Sequence, residues 1–452
     1  MAKYFGTNGA RGKLDLLTPE FVSRMCTAFG IWSGGKGNNI LLARDTRTSG
    51  EMLEGAALAG LLSAGCSVTM LGICPSPTVE FSVLKHKASG AVTITASHNP
   101  PDWNALKFVD SRSIAVSRER GEEIEKIFEA GPPQAQRAQW NEIQPLHHYA
   151  TACADHAAAV KAAIDTSLIK RRKPKLVLDC ANGTMGQVCP QFFKSLGCEV
   201  ITLNAQMDGH FPGRPSEPTE ANIGELLASV KELGADTGIA WDGDGDRVVF
   251  VDETGKFVIG DKIFALSEKI ALAQKKGPVV TTVSTTNAIR DIAEKAGCKM
   301  HYCRIGAPYI SEEMARVGAV VGGEEVGGVV WPSISYGKDG LMTAAKIVEA
   351  ICRQPLSNLV AGLPSYFNSK TKLPCAPERK YGAVASLAGK LQDKGKPTTI
   401  DGVRIDFPDD SWVIVRASGT ENYIRIFAEA KSQEKANELM QSYVRMVDAA
   451  IG

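Results

Sequence analysis

Apolar runs of strand length recur along this chain in a fixed setting. "NILLARD" (39–45), "KLVLDCANG" (175–183) and "PVVTTVSTT" (278–286) each precede a segment of helix length, such as "EMLEGAALAGLL". Each is then followed by a small-residue Gly-Cys turn and a second strand-like run: "SAGCSVTMLGI" (63–73), "SLGCEVITLNA" (195–205) and "KAGCKMHYCRI" (295–305). Strand, helix, Gly at the helix C′ position and strand make a parallel βαβ unit. Three such units predict three similar α/β domains, although Gly-Cys is a short signature that unrelated βαβ units can share. After about residue 365 the texture changes. "TTIDGVRIDF", "SWVIVRA" and "NYIRIFAEA" read as short strands joined by turns, and "SQEKANELMQSYVRMVDAAI" carries apolar residues at helical spacing. The expected organisation is three similar α/β domains with mixed sheets (1–147, 148–253, 254–365) and a smaller α+β domain (366–452).

Length supports that division, because 452 residues exceed what one hydrophobic core usually holds. With 44% hydrophobic and 22% charged residues the composition is that of an ordinary soluble protein. A net charge of +1 removes any general argument for nucleic acid or a membrane surface as partner. No apolar run reaches the length of a membrane span, and the N-terminus has no apolar signal segment. Eleven cysteines scattered without a C-x-x-C pair suit reduced thiols. A cytoplasmic protein is expected, monomeric or homodimeric.

Two stretches carry the chemistry most openly. "TASHNPPDWNALKF" (95–108) leaves a buried apolar run, Gly90 to Ile94, with Ser97, His98 and Asn99 in a row. Ser, Asn and Pro are common turn formers, but a serine at a strand's C-terminal end also stands where open α/β sheets bind ligands. In an extended segment neighbouring side chains point to opposite faces, so His98 is not expected beside the Ser97 hydroxyl. "WDGDGDR" (241–247) alternates Asp242, Asp244 and Asp246 with glycine, which converges three carboxylates that repel one another unless a cation or protons intervene. Few, hard oxygen ligands suit Mg²⁺. An EF-hand fails, since Arg247 occupies the position that needs Gly and the flanks read as strands. A solvated acidic turn is the plain alternative.

Three further stretches are less specific. In "RASGTENYIR" the backbone and hydroxyls of Ser418, Gly419 and Thr420, with Arg416 and Arg425, can form a phosphate nest. A hairpin beside surface arginines would be written the same way. "GGEEVGG" (322–328) places Glu324 and Glu325 on a glycine-rich loop, where carboxylates read sugar hydroxyls well. Arg11 in "FGTNGARG", and Arg44 and Arg47 in "ARDTRTSG", stand in turns that could equally hold solvated arginines. A nucleophilic hydroxyl, a carboxylate metal site, a sugar-reading loop and a distal phosphate nest are together what moving a phosphoryl group on a phosphorylated sugar requires.

"FGTNGARG", "TASHNPPDWNALK", "DGDGDR", "GEEVGG" and "RASGTE" occur in this order across essentially the whole chain, which resembles the α-D-phosphohexomutase family. The resemblance implies three α/β domains and a smaller terminal domain, with Ser97 carrying a phosphoryl group. It also implies that Asp242, Asp244 and Asp246 hold Mg²⁺ with an oxygen on Ser97, beside Arg247. Glu324 would touch sugar hydroxyls, and Arg416, Ser418, Gly419 and Thr420 would hold the substrate's phosphate. Arg11 and Lys107 would assist proton and charge movement, and His98 would support the loop. The implied reaction interconverts hexose 1-phosphate and hexose 6-phosphate (glucose, mannose or glucosamine) through a hexose 1,6-bisphosphate that turns end over end in the site.

Four positions depart from the family pattern. Ala105 replaces a usual Gly, Asn422 a common Pro, and Ala307 a frequent polar residue. Val326 stands where many members carry a polar residue that hydrogen-bonds the sugar. A Ser97-dependent sugar phosphatase and a non-catalytic sugar-phosphate binding protein are the readings from other classes. Loss of Ser97 or the aspartates would mark the second, and neither is lost.

Overall fold

The computed structural model describes residues 3–6, 8–131, 136–390, 396–418 and 422–451, with 388–390 and 396 described by backbone alone. The Gly-Cys repeat is structural. Helices Gly50–Ser63, Cys189–Ser195 and Asn287–Lys295 each end in a turn through a left-handed glycine: Gly65 (φ 78°), Gly197 (φ 85°) and Gly297 (φ 69°). Only glycine enters that region without cost. Each turn feeds a strand that pairs in parallel with the strand before its helix: Asn39–Arg44 with Ser67–Ile73, Lys175–Asp179 with Glu199–Leu203, and Val279–Thr282 with Met300–Cys303.

The likeness goes one step further than the repeat predicts. In each sheet a third strand lies parallel on the other side of the first and then folds back into an antiparallel hairpin. Gly90–Ile94 returns as Asn104–Asp110, Thr237–Trp241 as Val248–Val251, and Val321–Glu324 as Gly328–Val330. The three return turns are the Ser97 stretch, the aspartate stretch and the Glu325–Gly327 turn. One topological position therefore carries a chemical loop in every α/β domain, at the C-terminal ends of parallel strands.

These three sheets are mixed, with six, five and four strands, whereas the five strands described in the last domain are all antiparallel. Helices Pro377–Lys390 and Gln433–Ile451 cover that last sheet, so it is an α+β unit. The first sheet ends at its edge strand Leu146–His148. One continuous apolar cluster, including Phe193, Trp241, Phe264 and Leu341, runs from the second domain into the third. Their loops are thus fixed against each other by shared core, while the first and last domains have cores of their own. All eleven cysteines are free, and among the described residues no helix is long and apolar enough to cross a membrane.

Candidate active site

Ser97 lies three residues past the end of its strand, 3% exposed, with φ 51°. That left-handed backbone overturns the extended geometry expected for the segment. Ser97 and His98 do not point to opposite faces; Ser97 Oγ is 3.4 Å from His98 Nδ1. The loop is held from behind by Arg47, which is buried rather than solvated (1% exposed). Its guanidinium pairs with Asp45 at 3.0 Å and donates to the carbonyls of Ser97 (3.0 Å), Asn99 (2.7 Å), Trp103 (2.9 Å) and Pro100. A planar fork of five donors can gather carbonyls in this way, where an ammonium cannot. Arg44, by contrast, pairs with Glu54 at 3.2 Å and takes no part in the loop.

The aspartate turn arrives from the second domain. Ser97 Oγ donates to Asp242 Oδ2 at 2.6 Å, and one oxygen from each of Asp242, Asp244 and Asp246 lies within 4.8 Å of the others. The alternatives fall on this geometry. All three residues are buried, so this is no solvated acidic turn. The flanks are strands, and Glu253, which an EF-hand would need, bonds instead to Ser357. Ser216 joins the two loops, donating to Ser97 O (2.9 Å) while accepting from Gly243 N (2.9 Å).

Basic groups close over the carboxylates. Lys107 Nζ reaches Asp244 at 2.6 Å and Asp246 at 3.7 Å; Lys338 Nζ reaches Asp246 at 3.3 Å and Glu324 at 3.0 Å. Arg11, opposite Ala105 in the antiparallel pair, donates to Asn99 Oδ1 at 2.6 Å. Arg247 stands 4.0 Å from Asp246 and 3.5 Å from Glu217. Burial opposes the charge on Asp244, yet Lys107 beside it holds that carboxyl below the usual range. Burial and the neighbouring Asp246 and Asp244 push Asp242 up to about 8. Lys107 stays above its ordinary value because Asp244 and Asp246 outweigh its burial. Burial, with Arg247 and Arg11 nearby, drives His98 down to about 2, so its imidazole is neutral.

Do these residues fit a divalent cation? Asp244 Oδ1 and Asp246 Oδ1 are buried and have no hydrogen-bond partner, and Asp242 is strained by like charge. Oxygens of this kind, next to a serine hydroxyl, suit a small hard cation.

The remaining sequence candidates divide. Glu324 joins the cluster through Lys338. Arg416, Ser418 and Arg425 lie on the C-terminal sheet, where Arg416 pairs with Asp401 at 3.3 Å, Lys380 donates to Ser418 O at 2.6 Å, and Arg425 faces Arg416 across two strands. The contacts described for them do not run to the Ser97 cluster. Gly419 and Thr420 lie outside the described residues. Ala105 is fully buried as the second residue of strand Asn104–Asp110, where it pairs with Arg11. Sequence reasoning missed Lys338, Ser216 and Arg47's true role. "SYGKDG" offered only a lysine in a turn, and a lone serine at 216 offered no signal.

Comparison with known proteins identifies the family. Models of the four phosphoglucomutase/phosphomannomutase domains, alpha/beta/alpha domains I, II and III and the C-terminal domain, match residues 2–135, 154–255, 259–367 and 371–446. The chain belongs to the α-D-phosphohexomutase family and is a phosphomutase, an intramolecular phosphotransferase. It is 41% identical over 459 residues to a phosphoglucomutase/phosphomannomutase of Thermococcus kodakarensis, covering 100% of both chains. It is 36% identical over 449 residues to a probable phosphoglucosamine mutase of Methanosarcina barkeri, covering 99% of this chain and 100% of the relative. Among solved structures, a phosphoglucomutase/phosphomannomutase family protein from Burkholderia thailandensis superimposes with a TM-score of 0.86 at 26% identity, over 99% of this chain and 97% of the other.

Proposed function

We propose that this phosphomutase interconverts hexose 1-phosphate and hexose 6-phosphate through a phosphoserine at Ser97 and a hexose 1,6-bisphosphate that reorients between two transfers. The observation that carries the reading is the 2.6 Å contact of Ser97 Oγ with Asp242 inside a buried, cation-lined carboxylate cluster. In the first transfer the bond from phosphorus to Ser97 Oγ breaks and one to the sugar hydroxyl forms. The sugar hydroxyl gives up a proton and Ser97 Oγ gains one, so the transfer balances; Arg11 and Lys107 assist that proton and charge movement, while His98, neutral and 3.4 Å from Ser97 Oγ, supports the loop. Lys107, kept charged by Asp244, donates to phosphoryl oxygens and offsets their charge. Asp242, Asp244 and Asp246, with Ser97, would hold Mg²⁺, which supplies Lewis-acid stabilisation of the transferring group. Glu324 orients sugar hydroxyls, and Arg416, Ser418, Gly419, Thr420 and Arg425 hold the phosphate that is not reacting.

Which sugar is used turns on C2. The relatives are named phosphoglucomutase/phosphomannomutase and probable phosphoglucosamine mutase, which makes glucose, mannose and glucosamine phosphates the candidates. Val326 cannot hydrogen-bond, and a site rejects an analogue strongly only when a buried polar group is left unpaired. Glucose and mannose phosphates are therefore expected to turn over comparably, with glucosamine phosphate as a further substrate. Incubation with each 1-phosphate and resolution of the products tests this. Release of inorganic phosphate without isomerisation would instead establish the phosphatase, and a thousandfold preference for one sugar would overturn the loose-C2 reading.

A further inference from the structure

The sugar-reading hairpin carries two carboxylates in succession, and they face different parts of the molecule. Glu324 turns to Lys338 at 3.0 Å and through it to Asp246 of the second domain. Glu325 pairs instead with Lys370, on the first strand, Phe367–Pro374, of the C-terminal domain. Lys370 also lies 5.1 Å from the ring of Phe427, on the strand that pairs with its own. Two residues before it, Asn368 Nδ2 donates to Asp261 at 3.5 Å, at the start of helix Gly260–Gln274.

The hairpin tip has little freedom of its own. A side chain at Gly260 would meet Gly327 N at 2.3 Å and Glu325 O at 2.4 Å, so the tip rests directly on the helix start. On its other side a Cβ at Gly327 (φ 81°) would fall 2.3 Å from Val248 O, the residue after Arg247. A backbone packed this closely transmits a pull on Glu325 to Glu324, its neighbour, rather than absorbing it.

We propose that the Glu325–Lys370 pair is a positioning link, which sets the hairpin bearing Glu324 according to the placement of the C-terminal domain that bears the phosphate nest. The functional consequence rests on the mutase reading above: Glu324 grips the sugar well only when the nest is in place. Lys370 is a positioning residue, since it acts through Glu325 and the hairpin backbone. Substrate binding, more than the chemical step, should depend on it.

The full-length chain tests this with Lys370→Met, which keeps an apolar stem beside Phe427, Glu325→Gln, their combination, and Lys370→Arg. Each charge-removing single variant should raise KM for hexose 1-phosphate about tenfold with a much smaller change in kcat, and the double variant should be no worse than either single one. Hydrogen exchange across 322–330, measured without substrate, should rise in both single variants and return towards the parent in Lys370→Arg. Unchanged exchange in Lys370→Met, or effects that multiply in the double variant, would overturn the link. Should Lys370→Met fail to fold, Glu325→Gln and Lys370→Arg still decide. A parent that isomerises no hexose phosphate would sink the mutase reading alone, because the exchange comparison judges the link by itself.

Discussion

Two groups of buried carboxylates in this chain keep their charge to different extents. Around Ser97, burial and like charge push Asp242 up to about 8, but Lys107 and Lys338 keep the buried Asp244 and Asp246 below the ordinary carboxylate range. Along helix Gly260–Gln274, Asp261 and Glu268 are as deeply buried, and burial drives them up to about 8 and about 10. Lys370 opposes the rise at Asp261 without reversing it, while neither oxygen of Glu268 has a partner. Burial alone therefore does not mark a functional acid. What distinguishes the Ser97 group is that Lys107 and Lys338 are buried with it, so that Asp244 and Asp246 stay charged beside Asp242.

The largest test of that contrast is Ser97→Ala. It should lower turnover by at least about a thousandfold, and peptide mass spectrometry of the parent should find phosphate on Ser97. Phosphate confined to other residues in an active preparation would dissolve the distinction between the groups.

Next comes Asp244→Asn, read alongside chelation. Turnover should fall at least about a hundredfold, and excess chelator should abolish parental activity until Mg²⁺ is restored. Relief of like charge suggests a gain in metal-free stability on losing an aspartate. The structure points the other way for Asp244, because buried Lys107 loses the charge of its 2.6 Å partner. A loss of about 3 kcal/mol in urea unfolding is expected. Full activity in excess chelator would remove the metal assignment.

Glu268→Gln probes the other group, with the opposite sign. The folded protein holds a proton on Glu268 up to about pH 10, whereas the unfolded chain releases it near the ordinary glutamate value. Stability falls as pH rises through that window, and the amide removes the slope. The variant should outlast the parent by roughly 2 kcal/mol at pH 8 and by less at pH 5, with activity retained. A variant less stable than the parent at pH 8 would show that the glutamate is ionised after all. Smallest is Val326→Ser, at the hairpin between the two groups. Measured kcat/KM for the three sugars should shift by about 0.5 to 1.5 kcal/mol, one hydrogen bond, for one C2 configuration over another.

How much of this could be read in advance follows from the range of each signal. Gly65, Gly197 and Gly297 announce their turns because the left-handed backbone is a local demand that glycine meets alone. The hairpin loops were legible as chemistry because each keeps its residues within a few positions, as Asp242 to Asp246 do. Lys338 was not, since its meaning lies in Asp246 and Glu324, which come to it from other elements. Arg47 was left open for a related reason: the carbonyls it gathers lie about fifty residues away, and nothing in "DTRTSG" tells a buried guanidinium from a wet one. His98 was misplaced by a local error, the assumption of extended backbone at Ser97.

The carbonyls collected by Arg47 also say how this loop should age. A protease needs a segment that it can straighten into its cleft, and surface connections usually comply. Between Ser97 and Trp103 the backbone oxygens of Ser97, Asn99, Pro100 and Trp103 are turned inward onto one guanidinium, and the exposed tip is two prolines and Asp102. In the folded protein this connection should survive digestion that cuts elsewhere. An Arg47→Lys change, with three donors on a point charge in place of the fork, would return it to the condition of an ordinary loop, and first cleavage should move to the residues around the nucleophile.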